Sequence, residues 1–328
     1  MENQVSPRAL QTAGGGFIGA YIITMRPYLL FVSGITGIAG LSFATGMSIG
    51  NNIAVSLASF LSYGFGQALT DCFQTDTDSI SAPYRPLTQG IISKRAVLVA
   101  SILGLALCVS VFVYFNPLNL MLGIISGTGL ATYTYFKKRW WGGPFYNAWI
   151  VALLCIMAFE TGSREGRLPI SSALIWTISA VFFGYANFVL TGYFKDISAD
   201  RATGYLTLPV VYGRKISAVV SDLFALLTVV SLAMAIKCSA ADQSPFTLAA
   251  SAAFGTAAVI HTVMAQIRVH KIRGDNDAYH AISPVVHGYI LTLSSIACTQ
   301  KPGWIVPLML FYSGFILVLK FRPSKSQI

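Results

Sequence analysis

The chain has 328 residues, of which 55% are hydrophobic and only 10% charged, and its formal net charge is +10. Soluble globular domains carry roughly 25% charged residues, so this composition excludes a water-soluble domain and points to a polytopic membrane protein. The basic excess comes with neither a basic soluble domain nor an interleaved aromatic motif, which excludes nucleic acid as a partner; the five cysteines, Cys72, Cys108, Cys155, Cys238 and Cys298, stand singly and frame neither a disulfide core nor a zinc site.

Residues 1–25, with Gly14-Gly15-Gly16, lack the ordered basic start, apolar stretch and small-residue cleavage site of a signal peptide, and read as a short cytoplasmic lead-in. Apolar runs near the roughly 20-residue length that spans a bilayer then follow at 28–47, 53–70, 96–116, 118–136, 144–160, 170–194, 216–236, 245–267, 281–299 and 304–320. They predict an all-α bundle of nine to ten transmembrane helices, forming one domain over 26–322. Arg26-Pro27 opens the first span, Asn116-Pro117 turns the third into the fourth, and Gly142-Gly143-Pro144 starts the fifth. Gly123 and Gly127, at helical spacing, read as a place where helices approach closely. With the N-terminus inside, only Arg164, Arg167, Lys237 and Lys301 of the 22 basic residues fall outside. That bias places the loops after the second, fourth, sixth and eighth spans in the cytoplasm.

Two of those loops look like copies of one device. The first, within 70–95, reads Thr70-Asp71-Cys72-Phe73-Gln74-Thr75-Asp76-Thr77-Asp78 and is followed by Arg85-Pro86-Leu87. The second, within 193–215, reads Lys195-Asp196-Ile197-Ser198-Ala199-Asp200 and is followed by Thr207-Leu208-Pro209. The triplets stand at the same offset from Asp78 and from Asp200, four spans apart, as an internal pseudo-repeat would place them. Superposing Asp78 on Asp200 sets Gln74 on Asp196, so the first copy lacks a carboxylate that the second supplies.

Asp196 and Asp200, four apart, share one face of a helix. Asp71, Asp76, Asp78, Asp196 and Asp200 crowd five of the twelve acidic residues into two loops, and such a group repels itself unless cations join it. Mg²⁺ suits it: the ion takes oxygen ligands, keeps several waters, and combines one or two carboxylates with phosphate oxygens. A Mg²⁺ and diphosphate site follows, with Arg85, Lys137, Lys138, Lys195 and Arg201 as the diphosphate contacts; Arg grips phosphate bidentately and Lys supplies a point charge. Lys94 and Arg139 read as topology determinants. An allylic diphosphate that ionises leaves a carbocation, which needs a dry pocket with aromatic faces. Phe73, Tyr133, Tyr135, Tyr146, Tyr185 and Tyr193, near the cytoplasmic helix ends, are the candidates, with Asn187 a polar group inside the sixth span. Asp222, two turns inside the seventh span, reads either as a metal ligand or base, or as a carboxyl sealing a helix contact. His261 and His287 read as packing histidines, and Glu160 and Glu165 fall outside.

At these loops the sequence resembles the UbiA superfamily of intramembrane prenyltransferases, which shows an NDxxDxxxD-type first motif before an RPL-like triplet and a KDxxxD-type second motif before a TLP-like one. Lys195 to Arg201 and Thr207-Leu208-Pro209-Val210 match closely, Ser79 to Leu87 match well, and Arg26-Pro27 and Tyr135 to Lys138 are similar too; the likeness runs from about residue 20 to 300. Thr70 stands where the family has Asn and Gln74 where it has the first Asp, while Asp71 and Asp78 match and Asp76 replaces a Glu. A shifted register would use Gln67, Asp71 and Asp76 instead, and both registers stay open. The resemblance implies a helical bundle around a cavity open laterally to membrane lipid, with Mg²⁺ held by Asp71, Asp76, Asp78, Asp196 and Asp200 and by Gln74 or Gln67. Asp71, Asp78, Asp196 and Asp200 then carry the catalysis. An isoprenyl diphosphate would ionise at the cytoplasmic mouth and pass its prenyl group to an aromatic or other small lipophilic acceptor, or cyclise on itself as in the terpene cyclases of that superfamily. A cation or lipid transporter and a non-catalytic scaffold are the readings from other classes.

Overall fold

The computed structural model describes residues 16–162 and 169–321, and every element within them is helical. Residues 1–15 and the loop residues Arg164, Glu165 and Arg167 lie outside the described residues. The helices are α1 (Gly16–Met25), α2 (Leu30–Leu41), α3 (Ile49–Asp71), α4 (Thr75–Ser81), α5 (Lys94–Phe115), α6 (Leu118–Arg139), α7 (Gly143–Glu160), α8 (Ser172–Tyr193), α9 (Ile197–Ala202), α10 (Leu208–Ser239), α11 (Pro245–Val269), α12 (Tyr279–Gln300) and α13 (Ile305–Lys320). Among the described residues eight helices are long and apolar enough to cross a membrane, and nine if the bent pair Gly16–Met25 and Pro27–Leu41 forms one span. Helix α6 matches them in length at 22 residues but closes on Lys137, Lys138 and Arg139. The last expected span is present as Pro302–Lys320.

Two local departures from the expected outline matter for function. Residues 16–25, read as lead-in, are helical, and the chain turns by 42° before α2. The turn follows from Pro27, which bars its predecessor from the right-handed helical region; Arg26 instead takes a left-handed conformation (φ 53°, ψ 73°). A non-glycine residue held there is strained, and such strain persists only where neighbours fix the side chain. In α10, Gly213 (φ 79°, ψ 169°) breaks the helical path five residues after Leu208, a conformation that a side chain would oppose.

The helices pack in sequence around a ring, α2 on α3, α3 on α5, then α6, α7, α8, α10, α11 and α12, and α12 returns to α2 and α8. Apolar surface decides which stand inside. The most apolar window of α12 is 89% buried against 11% for that of α13, which makes α12 the central strut and α13 a peripheral helix. The main core runs through α2, α8 and α12, and small residues let these helices close up: a Cβ on Gly184 of α8 would stand 2.8 Å from the Tyr289 ring of α12. Gly123 does serve packing, since a Cβ there would meet Val109 of α5 at 2.6 Å, whereas Gly127 faces open space.

Candidate active site

The two acidic loops fold alike. Each long helix, α3 or α8, ends in a tight turn, and a short helix, α4 or α9, starts from a residue in nearly the same conformation: Gln74 at φ −116°, ψ 17° and Asp196 at φ −110°, ψ 7°. Asp78 N–H donates to the Gln74 carbonyl at 2.9 Å, and Asp200 N–H donates to the Asp196 carbonyl at 2.7 Å. The i, i+4 pairs Gln74/Asp78 and Asp196/Asp200 are therefore the same structural unit used twice. α4 packs on α9, and the hydroxyls of Thr77 and Thr203 hydrogen-bond across them at 2.7 Å, so both copies stand at one end of the bundle.

Between them opens a polar cavity of about 120 Å³ lined by Gln67, Thr70, Asp71, Gln74, Asp78, Lys195 and Asp196, by Arg26, Arg85 and Lys137, and by Tyr133, Tyr185 and Tyr193. The cations are built into it. Arg26 Nη2 donates to both carboxylate oxygens of Asp71 at 3.0 and 2.8 Å, which is what holds its strained backbone, and Gln67 Nε2 donates to the same carboxylate at 2.7 Å. Arg85 Nη1 lies 2.5 Å from Asp78 Oδ2 and 3.8 Å from Asp71 Oδ1. Lys137 Nζ donates to Gln74 Oε1 at 3.0 Å, stands 3.6 Å from Asp200 Oδ1, and rests near the ring faces of Tyr193 and Tyr205, at 5.1 and 5.2 Å.

Asp200 is fully buried behind Lys137. Thr207 of the Thr-Leu-Pro triplet donates to its Oδ2 at 3.1 Å, while Oδ1 has no hydrogen-bond partner. Burial pushes the Asp200 carboxyl up to about 6, against the pull of Lys137. Burial likewise raises Asp78 above the usual carboxylate range, against the pull of Arg85, and lowers Lys195 to about 8, against Asp196. Each of these groups is charged at a cost, and a partner of opposite charge arriving in the cavity would relieve it.

A second chamber of about 120 Å³ continues inward and shares the wall of Tyr63, Gln67, Thr70, Asn147 and Tyr185. Its depth is apolar, with Leu130, Ile150 and Leu154 on the sides and Phe112 and Met157 far from the mouth; Gly66, Gly123 and Gly127 leave the width. Tyr185 lines both the polar mouth and this chamber, while Tyr133 and Tyr193, linked by their hydroxyls at 2.7 Å, line the mouth.

Several expected residues stand elsewhere. Asp76 points outward, bonded to Lys138 at 3.0 Å and to the Tyr205 hydroxyl at 3.0 Å, so Asp76 and Lys138 form a surface pair outside the cavity. The lining includes Thr70, Gln74 and Asp78 of the ungapped register and Gln67 and Asp71 of the shifted one, with Gln67 turned to Asp71 and only Asp76 outside. Arg201 is exposed and does not line the cavity. Phe73 and Tyr135 lie on the outer surface, the first under Lys94 at 5.6 Å and the second under Arg139 at 3.9 Å. Tyr146 bonds Thr132 at 2.7 Å and stacks on Phe136, and Asn187 accepts from Ser221 at 2.6 Å in the contact between α8 and α10. Asp222 does not line the cavity but pairs with His270, at the end of α11, at 2.7 Å, with both side chains exposed. His261 stacks on His287, whose Nδ1 lies 2.8 Å from the Tyr312 hydroxyl, as packing histidines do.

Sequence reasoning gave Arg26 no place in the site, although its position before Pro27 set it off the helix. Tyr63 was also missed, yet it precedes Gln67 and Asp71 at four-residue spacing, a single helical face. Asp275 had no signal at all: it accepts from Ser198 N–H at 2.8 Å, at the start of α9, and pairs with Arg214 at 2.7 Å.

The profile of the UbiA prenyltransferase family matches residues 30–282. The chain belongs to that family. Among curated relatives, the digeranylgeranylglyceryl phosphate synthase of Thermococcus kodakarensis is 31% identical over 66% of this chain and 78% of its own length. That of Natronomonas pharaonis is 29% identical over 63% and 74%. Family members of known structure share the fold: the UbiA homologue of Aeropyrum pernix in its apo form superposes with a TM-score of 0.66 at 16% identity, covering 79% of this chain and 94% of its own. The Archaeoglobus fulgidus homologue bound to DMAPP and Mg²⁺ does so with a TM-score of 0.60 at 18% identity, covering 92% and 99%.

Proposed function

We propose that the chain is a Mg²⁺-dependent intramembrane prenyltransferase: it ionises an isoprenyl diphosphate at the polar mouth and transfers the prenyl group to a lipophilic acceptor that enters from the bilayer, with the mouth on the cytoplasmic side. One observation carries this reading. Two copies of an acidic helix start face each other across a mouth ringed by Arg26, Arg85, Lys137 and Lys195, and the mouth leads directly into an apolar chamber. The relatives named for prenyl-glyceryl products and the neighbour solved with DMAPP and Mg²⁺ support it.

The residues present fit the metal. Their donors are oxygens, Asp200 keeps one buried carboxylate oxygen without a hydrogen bond, and Asp196 lines the mouth beside it. Among the described residues no three Asp, Glu, His or Cys side chains converge as a cage, in keeping with an ion that takes one or two carboxylates and completes its shell with water and phosphate. When bound, the ion would draw negative charge from the leaving oxygen. The chain's own groups do the rest. Arg85, Lys137 and Lys195 hold the diphosphate as the bond from its oxygen to the allylic carbon breaks and the electron pair stays on the oxygen. The faces of Tyr133, Tyr185 and Tyr193 attract the resulting carbocation without reacting with it, while the apolar chamber excludes water. The acceptor's nucleophilic atom then bonds to the allylic carbon and gives up a proton.

Purified protein in detergent or nanodiscs, given diphosphates of ten, fifteen and twenty carbons with Mg²⁺, should release pyrophosphate and form a prenylated product when an aromatic acid or a prenylglyceryl phosphate is supplied. Cyclic hydrocarbon or alcohol as the main product without acceptor would redirect the reading to intramolecular capture. No Mg²⁺-dependent pyrophosphate release with any chain and acceptor would end it.

Asp275 is a positioning residue in this scheme, because it anchors the start of α9 through Ser198 and Arg214. Asp275→Ala is expected to raise the KM for the diphosphate about tenfold, the worth of roughly 1.4 kcal/mol from one or two charge-assisted hydrogen bonds, with kcat changed less. Steady-state kinetics check the split.

A further inference from the structure

The two copies are alike in backbone but not in what their side chains are free to bind. In the second copy the i, i+4 pair is Asp196 and Asp200, and Asp200 Oδ1, fully buried, has no hydrogen-bond partner. In the first copy the pair is Gln74 and Asp78. The Gln74 amide oxygen accepts from Lys137 at 3.0 Å, Asp78 is bound to Arg85, and the adjoining Asp71 is bound to Arg26 and Gln67. In the first copy, therefore, Asp71, Gln74 and Asp78 each have at least one side-chain oxygen already tied to a protein cation or donor. Charge follows the same division: four carboxylates, Asp71, Asp78, Asp196 and Asp200, meet four cations, Arg26, Arg85, Lys137 and Lys195. Lys137 reaches both copies, since its Nζ lies between Gln74 and Asp200.

We propose that this chain works with a single divalent ion, bound by Asp196 and Asp200 of the second copy, and that Lys137 supplies at the first copy the positive charge a second ion would bring. The first copy then grips the diphosphate directly, through Lys137 and Arg85, and Gln74 replaces Asp because a carboxylate there would call for a second metal. This inference rests on the prenyl diphosphate reading above and specifies how many metals serve it.

The test is metal stoichiometry on the full chain in nanodiscs, with Mn²⁺ in place of Mg²⁺ and geranyl thiolodiphosphate, an analogue whose bridging sulfur slows ionisation. The wild type is expected to hold one Mn²⁺ per chain with the six-line spectrum of an isolated ion in electron paramagnetic resonance. Gln74→Asp, which recreates in the first copy the pair present in the second, should bind two and show the narrower, multiplied splitting of a coupled pair. Asp200→Asn should weaken Mn²⁺ binding at least tenfold. Two coupled ions in the wild type overturn the single-metal proposal and leave the enzyme reading standing. If labelled thiolodiphosphate fails to bind both in the presence and in the absence of metal, the prenyl diphosphate reading itself falls and this one with it. The wild-type spectrum decides the matter even if Gln74→Asp fails to fold.

Discussion

Asp200→Asn is expected to lower Mg²⁺-dependent pyrophosphate release by at least about a hundredfold, the scale seen when one group that stabilises transition-state charge is removed. The size follows from where Asp200 stands. Its carboxylate is fully buried, keeps one oxygen without a hydrogen bond, and is held in place by Thr207. Asn preserves the volume and the contact with Thr207 but removes the charge that attracts a divalent ion. Either neutral replacement leaves the buried Lys137 without its ion pair, a loss of about 3–5 kcal/mol, and alanine would be the poorer test because it also opens a cavity and removes the acceptor for Thr207. Asp196→Asn should cost a comparable factor without that loss, since Asp196 lines the open mouth. Asp76→Asn is the control: its carboxylate bonds Lys138 and Tyr205 on the outer surface, and its turnover should stay within about twofold, as suits an exposed ion pair worth 0–1 kcal/mol. Pyrophosphate release measured across these variants checks the set. Wild-type turnover in both Asp196→Asn and Asp200→Asn would remove the second copy from the chemistry.

The contrast between Asp78 and Asp76 also shows what the sequence could reveal about the site. The two copies, their common offsets to Arg85-Pro86-Leu87 and Thr207-Leu208-Pro209, and the apolar runs were all legible, because they depend only on residue type and spacing. What spacing could not supply was the phase of each helix end. Nearly every expected residue that lies outside the cavity is a neighbour, by one or two positions, of one that lines it or stands directly behind it. Asp76 lies beside Asp78, Lys138 beside Lys137, Tyr135 beside Tyr133, Tyr146 beside Asn147, Asn187 beside Tyr185, Arg201 beside Asp200 and Phe73 beside Gln74. One residue turns a helix by about 100° and two by about 200°, so the neighbour of a lining residue commonly presents its side chain to another face. The phase of α4 and α9 is set by where the turns after α3 and α8 end, and those turns depend on packing between the copies rather than on local preference. Asp275 was beyond reach for another reason: it meets α9 from a loop some 75 residues further along the chain, a contact no local pattern encodes.

The length of the prenyl group accepted is expected to be set on α6, and Gly127→Phe should shorten it. Gly127 lines the apolar chamber, and nothing lies within 4 Å of a Cβ built there, so a phenyl ring would enter the space that the distal isoprenoid units need. At 1.5 Å per residue it stands about 15 Å below Lys137 along the helix. A ten-carbon chain anchored at the mouth ends above that level, whereas a twenty-carbon chain must pass it. Overpacking of a filled apolar site typically costs about 1–3 kcal/mol, so kcat/KM for the twenty-carbon diphosphate should fall by about 10- to 100-fold while that for the ten-carbon one changes by less than about threefold. Gly123 is unsuitable for the same test, because a side chain there collides first with Val109. Competition between ten- and twenty-carbon diphosphates in one reaction, resolved by product mass, measures the ratio directly. An unchanged ratio would mean that the prenyl tail does not lie in this chamber and leaves the mouth by another route.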